Sequence, residues 1–222
     1  MNKQLIRFIK LGLVCGSLLG LLLSWQLKCR PAFQQLRPPE APFDMAAYQQ
    51  NLTFLDSVSL FIRLAEKSAI SEDKMKAVLA LYAPSAQNPR SLLEFVAVLE
   101  YRISFGHLEE VGMLLDRFKK YLHTYYGDER FIKKQQGYLF YYPYLMGRYL
   151  LAKGEYKRAA QYLNLALEFR SDYKGIAACD LLQTYEKLNR TDEIVALIKL
   201  VLIEDRDAPD RIFFRSYCYA AK

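Results

Sequence analysis

From Asp44 to the C-terminus, apolar residues recur at steps of three and four, and no stretch alternates with the two-residue period of a half-buried strand. This spacing predicts a succession of amphipathic helices. Asp44 is placed to cap a helix reaching about Ser68, and Ser71, followed by Glu72 and Asp73, opens a second that ends before Pro84. Ser91 and Glu94 form a capping-box pair ahead of Phe95, Val96 and Leu99. Leu108, Val111, Leu115, Phe118, Leu122 and Tyr125 then fall on one stripe. The pattern returns in Tyr156, Ala159, Ala160, Leu163, Ala166 and Leu167, and again in Ile194, Leu197, Ile198, Val201 and Leu202. A short helix cannot bury such a stripe alone, so consecutive helices must pair and stack. The expected fold class of residues 44–222 is all-α.

The N-terminus follows a different rule. Leu11 to Leu27 is a run of 17 residues without a charge, flanked by Lys10 and Lys28. At about 1.5 Å per residue it reaches roughly 26 Å, close to the ~30 Å of a bilayer's hydrocarbon core, and Phe8 and Ile9 extend it. The competing reading is a cleaved signal peptide, but Leu23, Ser24, Trp25, Gln26, Leu27 and Lys28 offer no small-x-small cleavage site. Residues 1–29 are therefore expected to be an uncleaved signal anchor with one transmembrane helix over residues 8–27. The acid-free N-terminal tail favours a cytosolic N-terminus and a domain on the far side. Gly12, Gly16 and Gly20 share one face of that helix, as in small-xxx-small dimerisation stripes, although glycine is common in membrane spans in any case. Residues 30–43 hold Pro31, Pro38, Pro39 and Pro42, half of the eight prolines, and read as a semi-rigid spacer.

Composition alters this picture little. With 222 residues there is room for one ordinary domain and an appendage. The net charge of +7 suggests nucleic acid only until it is located: Lys3, Arg7, Lys10, Lys28 and Arg30 lie in the first thirty residues, and taking those five from 31 basic residues leaves 26 against 24 acids. The folded part has mixed charge and no phosphate-tracking patch, so no nucleic-acid partner is expected.

The segment MGRYLLAKGEYKRAAQYLNLAL, Met146 to Leu167, resembles a tetratricopeptide repeat, a 34-residue helix-turn-helix unit. Gly147 matches the small residue of the first helix, Gly154 the turn, Tyr156 the aromatic after it, and Ala159 and Ala166 the small residues of the second helix. Tyr185, Asn189, Ile194, Ile198 and Val201 repeat the layout downstream, with asparagine at the turn, and Leu99, Gly106, Leu108, Val111 and Phe118 repeat it upstream. Pro143 stands where the pattern often has tryptophan, and the step from Gly106 to Gly154 exceeds one repeat, so an interruption around Tyr121 to Gly137 is expected. The resemblance implies stacked hairpins, an α-solenoid, whose first helices line a concave groove for extended peptides or partner helices. By position, Tyr141, Tyr144 and Arg148 from one unit and Gln183 and Glu186 from the next are the implied partner-binding residues. The groups that clamp a C-terminal carboxylate in the chaperone-binding members of that family are not reproduced.

Motif chemistry is sparse. HExxH, CxxC, GxSxG, P-loop and GxGxxG spacings do not occur. His107 and His123 are expected near the two ends of one helix, too far apart to share a metal. The acid pairs Glu109–Glu110 and Asp192–Glu193 are expected in first helical turns, where the macrodipole favours them. Cys179 and Cys218 could bridge in an oxidising compartment. Tyr138, Phe140, Tyr141, Tyr142, Tyr144 and Tyr149 crowd twelve residues, as packing or as a recognition surface. The expectation is a non-enzymatic, cofactor-free adaptor or scaffold held at a membrane, in a bacterium the inner membrane with its domain in the periplasm. It would bind a protein or peptide partner and could dimerise through its membrane helix. The alternatives are a membrane-tethered hydrolase with an unfamiliar site and a purely structural homo-oligomer.

Overall fold

The structure, a computed structural model, describes residues 45–67, 70–127, 136–169 and 174–203. Contacts divide the chain into Met1–Phe43 and Asp44–Lys222, and every described residue belongs to the second unit. The helices run in the order α1 (Met45–Lys67), α2 (Glu72–Tyr82), α3 (Leu92–Ser104), α4 (Val111–Tyr126), α5 (Gln136–Leu139), α6 (Tyr141–Ala152), α7 (Tyr156–Phe169), α8 (Lys174–Lys187) and α9 (Thr191–Ile203). The domain is all-helical, with no strand among the described residues.

Local chemistry accounts for the boundaries. Ser91 caps α3: its side chain accepts from the Glu94 N–H at 3.2 Å while Glu94 accepts from the Ser91 N–H at 3.3 Å, closing the capping box. Pro143 sits inside the first turn of α6, where a missing N–H leaves no helical bond unmade. It is buried there, in place of the aromatic that the repeat pattern favours. His107 precedes α4 instead of starting it, because Gly106 turns the chain and the helix begins only at Val111. Glu109 accordingly lies outside the helix and Glu110 at its N-cap, whereas Asp192 and Glu193 do occupy the first turn of α9.

Three helical hairpins, α3/α4, α6/α7 and α8/α9, share one turn geometry. Gly106 (φ 79°), Gly154 (φ 78°) and Asn189 (φ 56°) are the described residues with left-handed backbone. After each, an N–H reaches back five residues: His107 to the Arg102 carbonyl at 2.8 Å, Glu155 to Leu150 at 2.9 Å, and Arg190 to Tyr185 at 2.9 Å. These are Schellman endings, which satisfy helix-terminal carbonyls and require a residue that tolerates positive φ. Within the second hairpin α6 and α7 approach closely. A Cβ on Gly147 would lie 2.6 Å from Leu163 Cγ, and Ala159 and Ala166 are fully buried at the same seam.

The remaining helices close the stack. α2 packs on α3, and the short α5 touches α4, α6 and α7. Phe95 stacks on Phe118 between α3 and α4 with ring centroids 5.2 Å apart, and Phe140 stacks on Tyr144 at the same separation. The long α1 lies against α3. It buries Leu52, Leu55, Val58, Ile62 and Ala65, and the Tyr48 hydroxyl accepts the Gly137 N–H at 3.0 Å.

Candidate functional site: a buried ion cluster between α1, α3, α6 and α8

Four charged side chains are buried where these helices meet: Arg63 on α1, Glu100 on α3, Arg148 on α6 and Asp180 on α8. Each interrupts an apolar run, as in Ser59-Leu-Phe-Ile-Arg63, Phe95-Val-Ala-Val-Leu-Glu100 and Ile176-Ala-Ala-Cys-Asp180. A lone buried charge would be expelled or neutralised, so the four must satisfy one another. Arg63 donates both terminal nitrogens to Asp180, Nη1 to Oδ2 at 3.1 Å and Nη2 to Oδ1 at 2.8 Å. Arg148 pairs with Glu100 through Nη1, and its Nε lies 3.5 Å from Asp180 Oδ2. Glu100 also accepts from the Ser59 hydroxyl. The two arginines and two acids balance.

Glu66, one-third exposed, stands at the rim. Its Oε2 accepts from Arg148 Nη2 at 3.2 Å and from the Ser104 hydroxyl at 3.0 Å, and lies 3.8 Å from Arg63 Nε. Beside it a cavity of about 170 Å³ is lined by Arg63, Glu66, Arg148, Asp180, Gln183 and the end of α6. The field differs between the two arginines. Burial is the largest influence on Arg63 and opposes its charge, but Asp180, Tyr144 and Glu66 together outweigh it and the pKa is raised; burial and the neighbouring Arg63 draw Arg148 down to about 10. Both remain cations at neutral pH, so the two arginines act through fixed charge and geometry.

The implied partner-binding residues are partly drawn together here. Tyr141 and Tyr144 are fully buried and Arg148 nearly so. The Tyr141 hydroxyl donates to Asp56 on α1, and Arg148 meets Glu66 on α1. The face of α6 that the resemblance assigns to a partner is thus covered by the chain's own α1. Gln183 and Glu186, on α8, remain half-buried, and Gln183 lines the cavity. Gly12, Gly16 and Gly20, residues 8–27 and Cys218 lie outside the described residues. Among the described residues no helix is long and apolar enough to cross a membrane. Cys179 is fully buried and disulfide-bonded, while Cys218, its candidate partner, is not described.

A second polar cluster lies on the outside of the α2–α3 contact. Tyr101 Oη donates to Glu72 Oε1 at 2.8 Å, His107 Nε2 lies 2.8 Å and Lys76 Nζ 3.0 Å from the same oxygen, in a cleft of about 470 Å³. Hydrogen bonds from Lys76, Tyr101 and His107 lower the Glu72 pKa to about 2, and burial followed by the Glu72 bond raises that of Tyr101. A carboxylate stabilised to that degree is a weak base, and a phenol held protonated is a weak acid, so Glu72 and Tyr101 serve as a fastening of α2 to α3. Among the described residues no group of His, Cys, Asp and Glu is arranged to hold a metal.

Sequence reasoning missed Arg63, Glu100, Asp180 and Ser59. The available signal was a charge at a stripe position inside each apolar run, a pattern that calls for a buried counter-charge elsewhere in the chain. No protein-family model, curated protein or solved structure matches this chain. The functional reading therefore rests on the residues themselves.

Proposed function

We propose that the chain is a membrane-anchored, tetratricopeptide-like adaptor that recruits a protein partner to the membrane plane. The observation that carries this reading is the threefold recurrence of one hairpin ending, at Gly106, Gly154 and Asn189, joined to close small-residue packing at Gly147, Ala159 and Ala166. A stack of such hairpins presents its first helices as a continuous curved face, a geometry suited to binding. Here α1 covers Tyr141 and Arg148 on that face, and the cavity beside Glu66, which Gln183 lines, is where a partner segment would enter. The apolar run over residues 8–27 supplies the tether, which raises the local concentration of a partner confined to the same plane. The disulfide at Cys179 accords with an oxidising compartment such as the periplasm.

Photocrosslinking from the full chain in its native membrane tests the reading. A crosslinker at Gln183 or Glu186 is expected to capture a discrete partner protein, whereas one at Lys199, exposed on α9, is not. Identical adducts from all three positions, or none from the α8 pair, would contradict the adaptor assignment.

A further inference from the structure

α8 is closed on every side. Residues 176–182 are each at most 2 % exposed, and at about 100° per residue this stretch passes through nearly two turns, so it presents no open face. Polar contacts account for two directions: Asp180 faces Arg63 on α1, and Asn164 of α7 donates to the Tyr185 hydroxyl at 2.9 Å. Both directions lie about 100° or more around the axis from Cys179. The side between them carries Ile176, Cys179 and Leu182, and Cys179 is disulfide-bonded there.

A disulfide says more than an apolar face can about what lies across it, because only another cysteine completes it. The chain has four: Cys15, Cys29, Cys179 and Cys218. Cys15 falls inside the apolar run read as the membrane span and Cys29 just past its end, and both belong to the unit Met1–Phe43. Cys218 belongs to the unit that holds α8. From Ile203, where α9 ends, the chain can extend about 50 Å to Cys218, several helix diameters, so it reaches α8 with length to spare. Phe213, Phe214, Tyr217 and Tyr219 surround Cys218 in sequence and offer apolar area to set against Ile176 and Leu182.

We infer that Cys179 is bonded to Cys218, and that the segment after α9 folds back over the Cys179 side of α8 as a covalently held cap. The last hairpin of a stack has no successor to cover its apolar surface, and the tied segment takes that place. Closure is an oxidation. The two thiols give up two protons and two electrons as the sulfurs join, and a protein disulfide accepts them by thiolate exchange through a mixed disulfide, leaving as a dithiol. A dithiol reductant runs the same steps backwards and frees the segment. The cap holds whether or not a partner enters beside Glu66.

The experiment uses the full chain, its free thiols blocked with N-ethylmaleimide, digested with trypsin without reduction and read by mass spectrometry. The peptide of residues 175–187 is expected joined to that of residues 216–222, and dithiothreitol should separate the two. In the undigested chain, Cys218→Ser should speed tryptic cleavage after Arg215 by about tenfold and lower the melting temperature by about 10 °C, whereas Cys29→Ser should change neither. Cys179 found joined to Cys15, to Cys29 or to another protein, or recovered as the alkylated thiol, would overturn the pairing. Cleavage after Arg215 that Cys218→Ser leaves unchanged would overturn the cap.

Discussion

Two seams in this domain hold helices by opposite means. α6 and α7 meet through missing volume: Gly147 admits Leu163, and Ala159 and Ala166 let the backbones close. α1, besides burying Leu52, Leu55, Val58, Ile62 and Ala65, meets α3, α6 and α8 through charge, with Arg63 and Arg148 locked between Asp180, Glu100 and Glu66. The first seam gains from dispersion and apolar burial and is indifferent to pH and salt. The second must recover the desolvation of four ions, so it adds modest net stability, but it penalises any other seating of α1 heavily. Packing builds the hairpin and the ions fix the register of the helix laid across it.

Substitutions should separate the two. Arg148→Ala leaves Glu100 buried without its counter-charge and should cost about 3–5 kcal/mol in chemical denaturation, whereas replacing Arg148 and Glu100 together by leucine should recover most of that loss. Gly147→Val forces a side chain against Leu163 and should cost about 1–3 kcal/mol, with no change in salt dependence. Gly154→Ala puts a Cβ at φ 78° and should cost about 1–2 kcal/mol, read as a lower melting temperature. The smallest effect belongs to the surface cluster around Glu72. Because Glu72 is lowered from 4.5 to about 2 in the folded chain, its contribution is present above pH 4.5 and lost as pH falls towards 2. Wild type and Glu72→Gln should therefore differ in denaturation midpoint at pH 6 and converge at about pH 2, and a gap that stays constant would deny the Glu72 bonds this role.

The hairpins were legible in the chain because their determinants are local. Ser91 and Glu94 announce α3 from three residues apart, and Gly106, Gly154 and Asn189 mark turns that few other residues can adopt. The ion cluster was not legible, because its partners lie far apart in sequence: Arg63 and Asp180 are 117 residues distant, and Arg148 and Glu100 are 48. A single sequence shows that Glu100 sits among apolar residues without showing which cation will meet it. Tyr141, Tyr144 and Arg148 illustrate the consequence. Their position on the first helix of a hairpin was readable; that α1 would cover them was not, since only the fold brings Asp56 and Glu66 to them.

The central claim is that α1 is seated by the buried ions, and a double-mutant cycle on Arg63 and Asp180 tests it most directly. Arg63→Ala, Asp180→Ala and the double variant, unfolded in urea, should give a coupling energy of about 1–3 kcal/mol, the double variant being nearly as stable as either single one. Effects that add to within about 0.5 kcal/mol would show that the two charges do not act on each other, and the account of how α1 is held would fail.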